Sequence, residues 1–506
     1  MHSRQSLIIF LSNYAKSGIG FITLFFVTRL MGAEAIGVVS YHLGFLGLFS
    51  ICLDLGISTT HIKHVSENRN PGECVGAYLA IKFSMLAIFS LLIFLYFAFI
   101  NHNAFSHTAL MKDPSILMML FSYYVLDHLT AILTTTFIGR GEFVKLSAPT
   151  LIGRIVKLIT VILLGLMGWK ARALAVAYLA ESCISCAYAI FLFKKTNIPV
   201  HKPSRPILFS YFYYTIPLLV IIPVSTFSSN IVPVLIGHFS NVEQVGFYFA
   251  IQSLIAIPNA ISSSAMTVFF PKISADHTKK NHQQMITSIR KVTRYLSMGI
   301  TPIAVIFITL SASILKVAYA FDSMYANLTF LFLSITMVII AVTRPYINFQ
   351  LGIGKHHRNA IINVISLLII VAGCTLFVPE HFFSLRTLGL GAAGAGLAQL
   401  LAWVVSSCLF SYFSFKELKV SFSGILVKHY LAGLGMFTAI YFCKSFFVFD
   451  NFLSNLILII ALSTLGLLTY GFLLIILGEL NREDYNYLQT LLNPSKLKSD
   501  IIKELK

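Results

Sequence analysis

Long apolar runs recur from one end of this chain to the other, and they constrain its fold more than any other feature. One of them, FSMLAIFSLLIFLYFAFI at residues 83–100, carries no charged side chain. An apolar run of about 18 or more residues is long enough to cross a lipid bilayer as a helix. The chain is therefore predicted to be an integral membrane protein built of helices.

The balance of polar and apolar residues agrees with this prediction. Only 11% of the 506 residues are charged and 57% are hydrophobic, whereas soluble proteins have about 25% charged residues. A net charge of +18 would point to nucleic acid in a soluble protein. Here we attribute it to the excess of lysine and arginine in cytoplasmic loops, and no nucleic-acid partner is expected.

The apolar runs predict about fourteen transmembrane helices, and an even number places both termini on one side. The predicted connections on that side carry most of the lysine and arginine residues, including 194–205 and 271–291. The second of these is expected to be a loop that contains a surface helix. Because basic loops stay in the cytoplasm, we expect a multi-pass protein of the cell (inner) membrane with both termini cytoplasmic.

Similar segments at similar spacing indicate an internal repeat. GVVSYHLGFLGLF beginning at Gly37 resembles GFYFAIQSLIAIP beginning at Gly246, and FIGRGEF (137–143) resembles QLGIGKH (350–356). The alternative is a chance similarity among apolar segments. Parallel repeats are typical of transporters, whose substrate site lies near the midplane. The predicted domains are an N-lobe of six helices (1–200), a homologous C-lobe of six helices (201–420), two further helices (421–480) and a cytoplasmic tail (481–506).

Ionisable residues inside the predicted spans are the candidate site residues. Each costs at least about 2.5–3.5 kcal/mol to insert at the centre of a bilayer, so a set of them is expected to face a wet interior. The alternative for each one is snorkelling to the interface. The candidate substrate-binding cations are Lys16, Arg29, Lys82, Arg154, Lys157 and Arg344, and the candidate residues for coupling or charge pairing are Asp54, Asp127 and Glu181.

The spacing and the sign of these charges indicate an anionic ligand. Arg154 and Lys157 lie one turn apart on a helix and share a face, and Asp127 or Glu181 could pair with either, although no single pairing follows from the sequence. The surplus of cations favours an anion, and arginine binds phosphate with two hydrogen bonds. We find no nucleotide-binding loop or catalytic motif, so the chain is expected to be no enzyme and to need no metal or cofactor. Coupling to H⁺, to Na⁺ or to the membrane potential stays open.

A family resemblance is carried by VTRLMGAEAIGVVSYHLGFLGLFSICLDLGISTTHIKHVSE (27–67), with GRGEF after the fourth span and ALAVAYLAE (173–181) at the sixth. These segments resemble the oligosaccharide flippases, which are the polysaccharide-export members of the multidrug/oligosaccharidyl-lipid/polysaccharide (MOP) exporter superfamily. The resemblance implies an all-α, MOP/MATE-like fold with two lobes in a V around a cationic central cavity. In that reading Asp54 pairs with a cation or takes part in coupling; the alternative is a partner for groups at a helix end. HIKHVSE is expected to be a cytoplasmic connection.

The resemblance also implies a function. Such a carrier would move a lipid-diphosphate-linked oligosaccharide across the membrane by alternating access. Its partners would be this substrate, membrane lipids, and a polysaccharide polymerase or glycosyltransferases. The alternatives are a drug or metabolite cation antiporter of the same superfamily, for which acidic residues should dominate the cavity, and a membrane-embedded glycosyltransferase or polymerase, which needs a larger extramembrane loop.

Overall fold

The structure is a computed structural model, and its helices follow the apolar runs of the sequence. The predicted tail at 481–506 lies outside the described residues, which are 2–67, 70–102, 113–216, 219, 221–279, 281–419, 425–447 and 451–479.

Sixteen α-helices and a two-stranded hairpin are found among these residues. A short 3₁₀ helix, Ser50–Leu53, follows the first of them. The helices are α1 (His2–Phe49), α2 (Ile57–Ser66), α3 (Pro71–His102), α4 (Pro114–Gly139), α5 (Phe143–Leu166), α6 (Ala171–Lys195), α7 (Arg205–Thr215), α8 (Ile221–Phe239), α9 (Val242–Thr278), α10 (His282–Thr309), α11 (Ser311–Tyr319), α12 (Met324–Gly352), α13 (His356–Phe377), α14 (Ala392–Leu418), α15 (Ile425–Lys444) and α16 (Phe452–Ile476), and the antiparallel strands are β1 (His381–Phe382) and β2 (Leu385–Arg386).

The predicted all-α, multi-pass membrane fold is confirmed. Among the described residues, 13 helices are long and apolar enough to cross a membrane. The first of these stretches, Ser12–Leu53, has 42 residues. At about 1.5 Å per residue it would extend about 63 Å, roughly twice the hydrocarbon thickness of a bilayer. It therefore accounts for two of the about fourteen crossings that the sequence predicts.

A single glycine separates these first two crossings. Gly32 has φ 83° and ψ 173° inside α1, so the helix is interrupted there. A positive φ is accessible to glycine without the steric cost that a side chain would bring. The first two crossings are thus separated by one non-helical residue and not by a loop.

The connection at 271–291 does contain helix, but it is nearly all helical instead of a loop with one surface helix. The helix α9 continues through Thr278 and α10 already begins at His282. The sequence does not show that the two helices extend this far, because hydropathy identifies only the part of a helix that lies in lipid and these ends are polar. The ends of both helices carry basic and amide side chains and keep their backbone hydrogen bonds without an apolar run.

The chain divides into two compact units. Among the described residues, the first unit comprises Gln5–Ala250 and Ile370–Ala395, and the second comprises 2–4, Ile251–Ile369 and 396–479. The predicted lobe boundaries at residues 200 and 420 stay a prediction.

Close helix packing in the first unit depends on glycine. A Cβ atom on Gly37 of α1 would meet the backbone carbonyl of Val242, and one on Gly246 of α9 would meet the carbonyl of Ala33. Small residues let two helix backbones approach closely inside a membrane. The two glycines that the sequence pairs in the predicted repeat therefore lie against each other, and larger residues do not fit at either position.

In the second unit, the last two spans pack on α10 and α11. Leu310 and the α15 residues Met436 and Ile440 form one buried cluster with Leu458 and Leu462 of α16. Tyr470 of α16 adds a hydrogen bond from its hydroxyl to the carbonyl oxygen of Met298, at 3.2 Å. The predicted pair of extra helices is thus joined to this unit by apolar packing.

A cluster of charged residues lies at one end of α10, α15 and α16, and we call it the Glu479 clamp. The Nε atom of Arg294 donates to the carboxylate of Glu479 at 2.6 Å, and Lys428 Nζ lies 3.7 Å from the other carboxylate oxygen. His429 Nε2 lies 3.4 Å from the first oxygen. Because Glu479 follows α16 directly, the clamp ties the end of that helix to α10 and α15.

Candidate functional site

The helices α5 and α6 form the core of the candidate site in the first unit. A Cβ atom on Gly153 of α5 would meet the side chain of Ser185 and the carbonyl of Glu181, so only glycine allows this approach. Ser185 also donates its hydroxyl hydrogen to the carbonyl of Pro149 at 3.1 Å. This close packing places Glu181 opposite the face of α5 on which Arg154 lies.

Glu181 pairs with both cations of α5. Arg154 Nε lies 3.1 Å from Oε1, and Lys157 Nζ lies 3.1 Å from Oε2. Lys157 also lies over the ring of Tyr178, 3.0 Å from its centroid. The side chains of Lys157 and Glu181 are 7% and 12% exposed, whereas that of Arg154 is 42% exposed. Arg154 is therefore the cation of this group that an incoming ligand can reach.

Two further predicted residues join them from other helices. Asp127 of α4 lies within electrostatic range of Glu181, Arg154 and Lys157, and Lys16 of α1 is close enough to Arg154 for their charges to repel. The backbone of α1 also approaches Arg154 at Gly20, where an added Cβ atom would lie 3.5 Å from Nη1. We call these five residues, Lys16, Asp127, Arg154, Lys157 and Glu181, the Glu181 cluster. Three cations against two carboxylates give it one net positive charge.

Asp54 and Lys82 form a separate, neutral pair. Lys82 Nζ donates to Asp54 Oδ1 at 2.6 Å and to the carbonyl oxygen of Leu53 at 2.8 Å. Asp54 also accepts the backbone N–H of Ser58, in the first turn of α2, at 3.0 Å. Asp54 thus serves both as a partner of a cation and as a partner of backbone groups at a helix end, the two roles that the sequence left open.

The other two predicted cations have neighbours of their own. The guanidinium carbon of Arg29 lies 4.7 Å from the centre of the Phe25 ring, a distance at which a cation and an aromatic face attract. Arg344 belongs to the second unit, on α12, where its Nη1 donates to the hydroxyl of Ser263 on α9. The structure therefore distributes the nine predicted residues over several places.

A buried polar network beside the Asp54–Lys82 pair was missed by the sequence reasoning. His61 of α2 has Nδ1 2.7 Å from the hydroxyl of Tyr211 and Nε2 3.0 Å from that of Thr136. Its ring stacks on Tyr78 at 3.9 Å. Burial lowers the pKa of His61 to about 3, and the nearby charges of His64 and Lys82 act in the same direction.

A helical pattern in HIKHVSE could have revealed this network. Ile57, His61, His64 and Val65 recur at three- and four-residue spacing, and all four are buried in α2. Lys63 points the other way, with its Nζ 3.9 Å from the centre of the Tyr214 ring. The segment was expected to be a simple connection, and it is a short helix with one buried face.

No metal centre is formed by the described residues: they contain no group of three or more His, Cys, Asp or Glu side chains placed to hold an ion. The side chains of the Glu181 cluster offer charge and hydrogen bonds, which is the chemistry of binding an anion.

Comparison with known proteins assigns the family. Residues 3–277 match the family described as "Polysaccharide biosynthesis protein". Among curated proteins, the chain is 24% identical over 429 residues to the "Probable low-salt glycan biosynthesis flippase Agl15" of Haloferax volcanii, covering 84% of this chain and 86% of that one.

Solved structures share the fold. The lipid II flippase MurJ in its inward closed conformation matches with a TM-score of 0.73 and 15% identity over 94% of this chain and 98% of that one. An inward-facing multidrug resistance MATE family transporter of the MOP superfamily matches with a TM-score of 0.63 and 14% identity, covering 81% and 96% of the two chains. The resemblance stated from the sequence is confirmed: this chain belongs to the polysaccharide biosynthesis protein family and has the fold of the MOP transporters.

Proposed function

We propose that this chain is a flippase for a lipid-diphosphate-linked oligosaccharide, the repeat unit of a polysaccharide. It would carry this lipid across the cytoplasmic membrane by alternating access, with both of its own termini in the cytoplasm. The family match and the similarity to a probable glycan flippase support this proposal. The observation that carries it is the Glu181 cluster, a group with net positive charge inside membrane-spanning helices and with Arg154 exposed.

The arrangement provides a way to bind and release a diphosphate. Glu181 occupies both cations of α5 at 3.1 Å. A diphosphate carries more negative charge than one carboxylate and can accept two parallel hydrogen bonds from a guanidinium group. The headgroup therefore displaces Glu181 from Arg154 when it binds, and the carboxylate is at hand to take Arg154 back when it leaves. Lys157, buried behind Arg154, adds charge without needing to move.

The membrane potential is the driving force that we propose. An anionic headgroup that leaves the negative interior gains roughly 2.3 kcal/mol for each elementary charge at 100 mV. After release, the net positive cluster is drawn back towards the inside by the same field. Proton or sodium coupling is the alternative that the experiment has to separate from this.

The rival function is a drug or metabolite cation antiporter of the same superfamily. The cargo of such an antiporter is a cation, so its site is expected to contain more carboxylates than cationic side chains. The Glu181 cluster has the opposite balance, since Lys16, Arg154 and Lys157 face Asp127 and Glu181. This balance favours an anionic cargo.

Purified protein in proteoliposomes tests the proposal. The probe is the lipid-linked oligosaccharide extracted from cells that lack this chain, and ethidium serves as a cationic cargo. We expect transbilayer movement of the glycan lipid that a potential accelerates in one direction and slows when reversed, at equal pH and without sodium. Movement of ethidium but not of the glycan lipid would establish the antiporter, and a rate that follows a proton or sodium gradient alone would overturn the potential-driven mechanism.

A further inference from the structure

The second unit contains a cavity of about 400 Å³ between α9, α12 and α14. Pockets of about 300–1,000 Å³ hold small organic ligands. No aspartate, glutamate, lysine or arginine is found among the described residues that line this one. Its polar lining residues are Gln252, Asn259, Ser263, Thr336, Gln399 and Trp403.

Three amide side chains are among the polar residues of this lining, and they narrow the class of ligand. The remaining wall is aliphatic, with Ile255, Ala256, Ala260, Leu333 and Ile340. An amide offers both hydrogen-bond donors and acceptors, which is the pairing that a hydroxyl group requires. A carboxylate in the wall would favour a cationic cargo or a coupling cation, and none is found among these lining residues. A lipid tail would offer no hydrogen bond to the side-chain oxygen of Asn259, and an unpaired amide oxygen inside a membrane protein has a high cost in free energy. The lining therefore suits a neutral ligand that is rich in hydroxyl groups.

Two buried polar atoms at the cavity have unused hydrogen-bonding capacity. The side-chain oxygen of Asn259 is buried without a hydrogen-bond partner among the described residues, and so is Nε of Arg344. Arg344 reaches the cavity wall through its hydrogen bond to Ser263. Buried polar groups are almost always paired in native proteins. Asn259 lines the cavity and Arg344 lies behind Ser263 of its wall, so a small movement of either side chain would let it pair with a hydroxyl group of a ligand.

Trp403 adds an aromatic side chain to the apolar part of the same wall. An indole presents a flat apolar face together with one N–H donor. A pyranose ring has the matching shape, with axial C–H groups on a flat face and hydroxyl groups around its edge. Stacking on Trp403 and hydrogen bonding to the surrounding amides can therefore occur on one sugar ring at the same time.

We propose that this cavity is a sugar-binding site that recognises rings of the oligosaccharide cargo. The inference rests on the proposed function. It adds a site whose amides and indole bind the glycan, while the Glu181 cluster binds the diphosphate. Glycan selectivity would then reside in the side chains at positions 252, 259, 399 and 403, and a chain with other residues there would carry another glycan.

Trp403 itself provides the measurement, because the chain has two tryptophans. In a Trp169→Phe background the emission reports on Trp403 alone. Trp169 lies between α5 and α6 of the first unit and does not line this cavity. The protein is placed in proteoliposomes and titrated with two probes: polyprenyl diphosphate carrying the oligosaccharide, extracted from cells that lack this chain, and polyprenyl diphosphate without a glycan.

We expect the emission of Trp403 to change with the glycan-bearing lipid and to stay constant with the bare lipid. Asn259→Leu and Gln399→Leu should each weaken the apparent affinity at least about tenfold. Asn455→Leu on α16 is the matched control, since it removes an amide from a span of the same unit outside the cavity, and it should leave the affinity unchanged.

The result that overturns the inference is the same response, or no response, to the two lipids in the Trp169→Phe protein. This readout needs no substitution in the cavity, so it stands even where a cavity variant fails to fold. Flipping of the glycan lipid in the same vesicles reports separately on the proposed function. A Trp403 response without flipping would support the sugar site and contradict the flippase, and flipping without a Trp403 response would do the reverse.

Discussion

The two units each hold a buried glutamate between cations, and the two sites differ in how far the arginine is exposed. In the first unit Glu181 lies between Arg154 and Lys157, and the Arg154 side chain is 42% exposed. In the second unit Glu479 lies among Arg294, Lys428 and His429, and the Arg294 side chain is 15% exposed. The arginine is thus open to a ligand in the first unit and largely enclosed in the second, where Lys428, 3.7 Å from Glu479, is the more exposed cation at 41%.

This difference shows how one kind of ion cluster can serve two purposes. A buried cation that is held on all sides contributes to the fold, because removing its partner would leave an uncompensated charge. A cation with free surface can exchange its carboxylate for an anion from outside. Both clusters contain a glutamate, so the glutamate does not distinguish them. The exposure of the arginine is what distinguishes a binding site from an ion cluster that only stabilises the fold.

The largest effect should come from exchanging the two arginines for alanine. Arg154→Ala should reduce glycan display in a complemented deletion strain at least about tenfold, because it removes the exposed cation that binds the diphosphate in the proposed mechanism, and a hydrogen bond to a charged group is worth about 1.5–3 kcal/mol. The amount of protein in the membrane should stay near that of the wild type. Arg294→Ala should instead lower the amount of protein, and display only in proportion.

Two measurements are required for this comparison, surface glycan display and the quantity of protein in isolated membranes. Arg172→Ala is the matched control, since Arg172 pairs with Asp113 at 2.6 Å and its side chain is largely exposed. Normal display per molecule in Arg154→Ala would remove the distinction between the open and the closed cluster.

The next effect is on the stability of the fold. Glu479→Ala should lower the free energy of unfolding by about 3–5 kcal/mol, since it leaves Arg294 and its neighbours without their buried carboxylate. Glu67→Ala should cost only about 0.3–0.5 kcal/mol, because the Lys63–Glu67 pair is at 3.8 Å on the surface of α2. Thermal unfolding in detergent compares them, and equal losses would mean that the Glu479 clamp contributes no more than a surface pair.

The smallest effect is a change of stability with pH, and it tests the buried His61 network of the first unit. His61 has a pKa of about 3 in the folded chain against about 6.5 when unfolded. The unfolded chain binds the extra proton, so this stabilisation is present above about pH 6.5 and is lost as the pH falls towards 3. Between pH 7 and pH 5 the loss should be about 2 kcal/mol.

A His61→Gln variant isolates this contribution. It should be less stable than the wild type at pH 7, because Tyr211 and Thr136 lose well-placed partners, and its stability should vary less between pH 7 and pH 5. Thermal unfolding at both values gives the comparison. Parallel profiles for the two proteins would show that His61 does not titrate in this way.

Much of the fold could be predicted from the sequence, because the apolar runs and the distribution of basic residues reflect the bilayer directly. The face shared by Arg154 and Lys157 followed from helical spacing. Their common partner did not, because the spacing along α5 says nothing about which residue of α6 faces it. Glu181 is brought there by the contact at Gly153, which a single sequence does not reveal.

The cavity of the second unit was missed for a similar reason. Gln252 and Asn259 belong to α9, and Gln399 and Trp403 to α14, so no local pattern joins them. Attention to ionisable residues also passed over neutral amides. Amides inside an apolar run are the signal that could have been followed, since each of them needs a hydrogen-bond partner at membrane depth.

The position of Glu479 sets a practical limit for anyone who shortens or tags this chain for purification. A truncation placed at the end of the last span, at Ile476, would look harmless on a hydropathy plot. It would delete the carboxylate that joins α10, α15 and α16, and so it would produce an unstable membrane protein. Affinity tags therefore belong after Glu479. The shortest stable form of the chain must include residues that follow the last membrane-spanning helix.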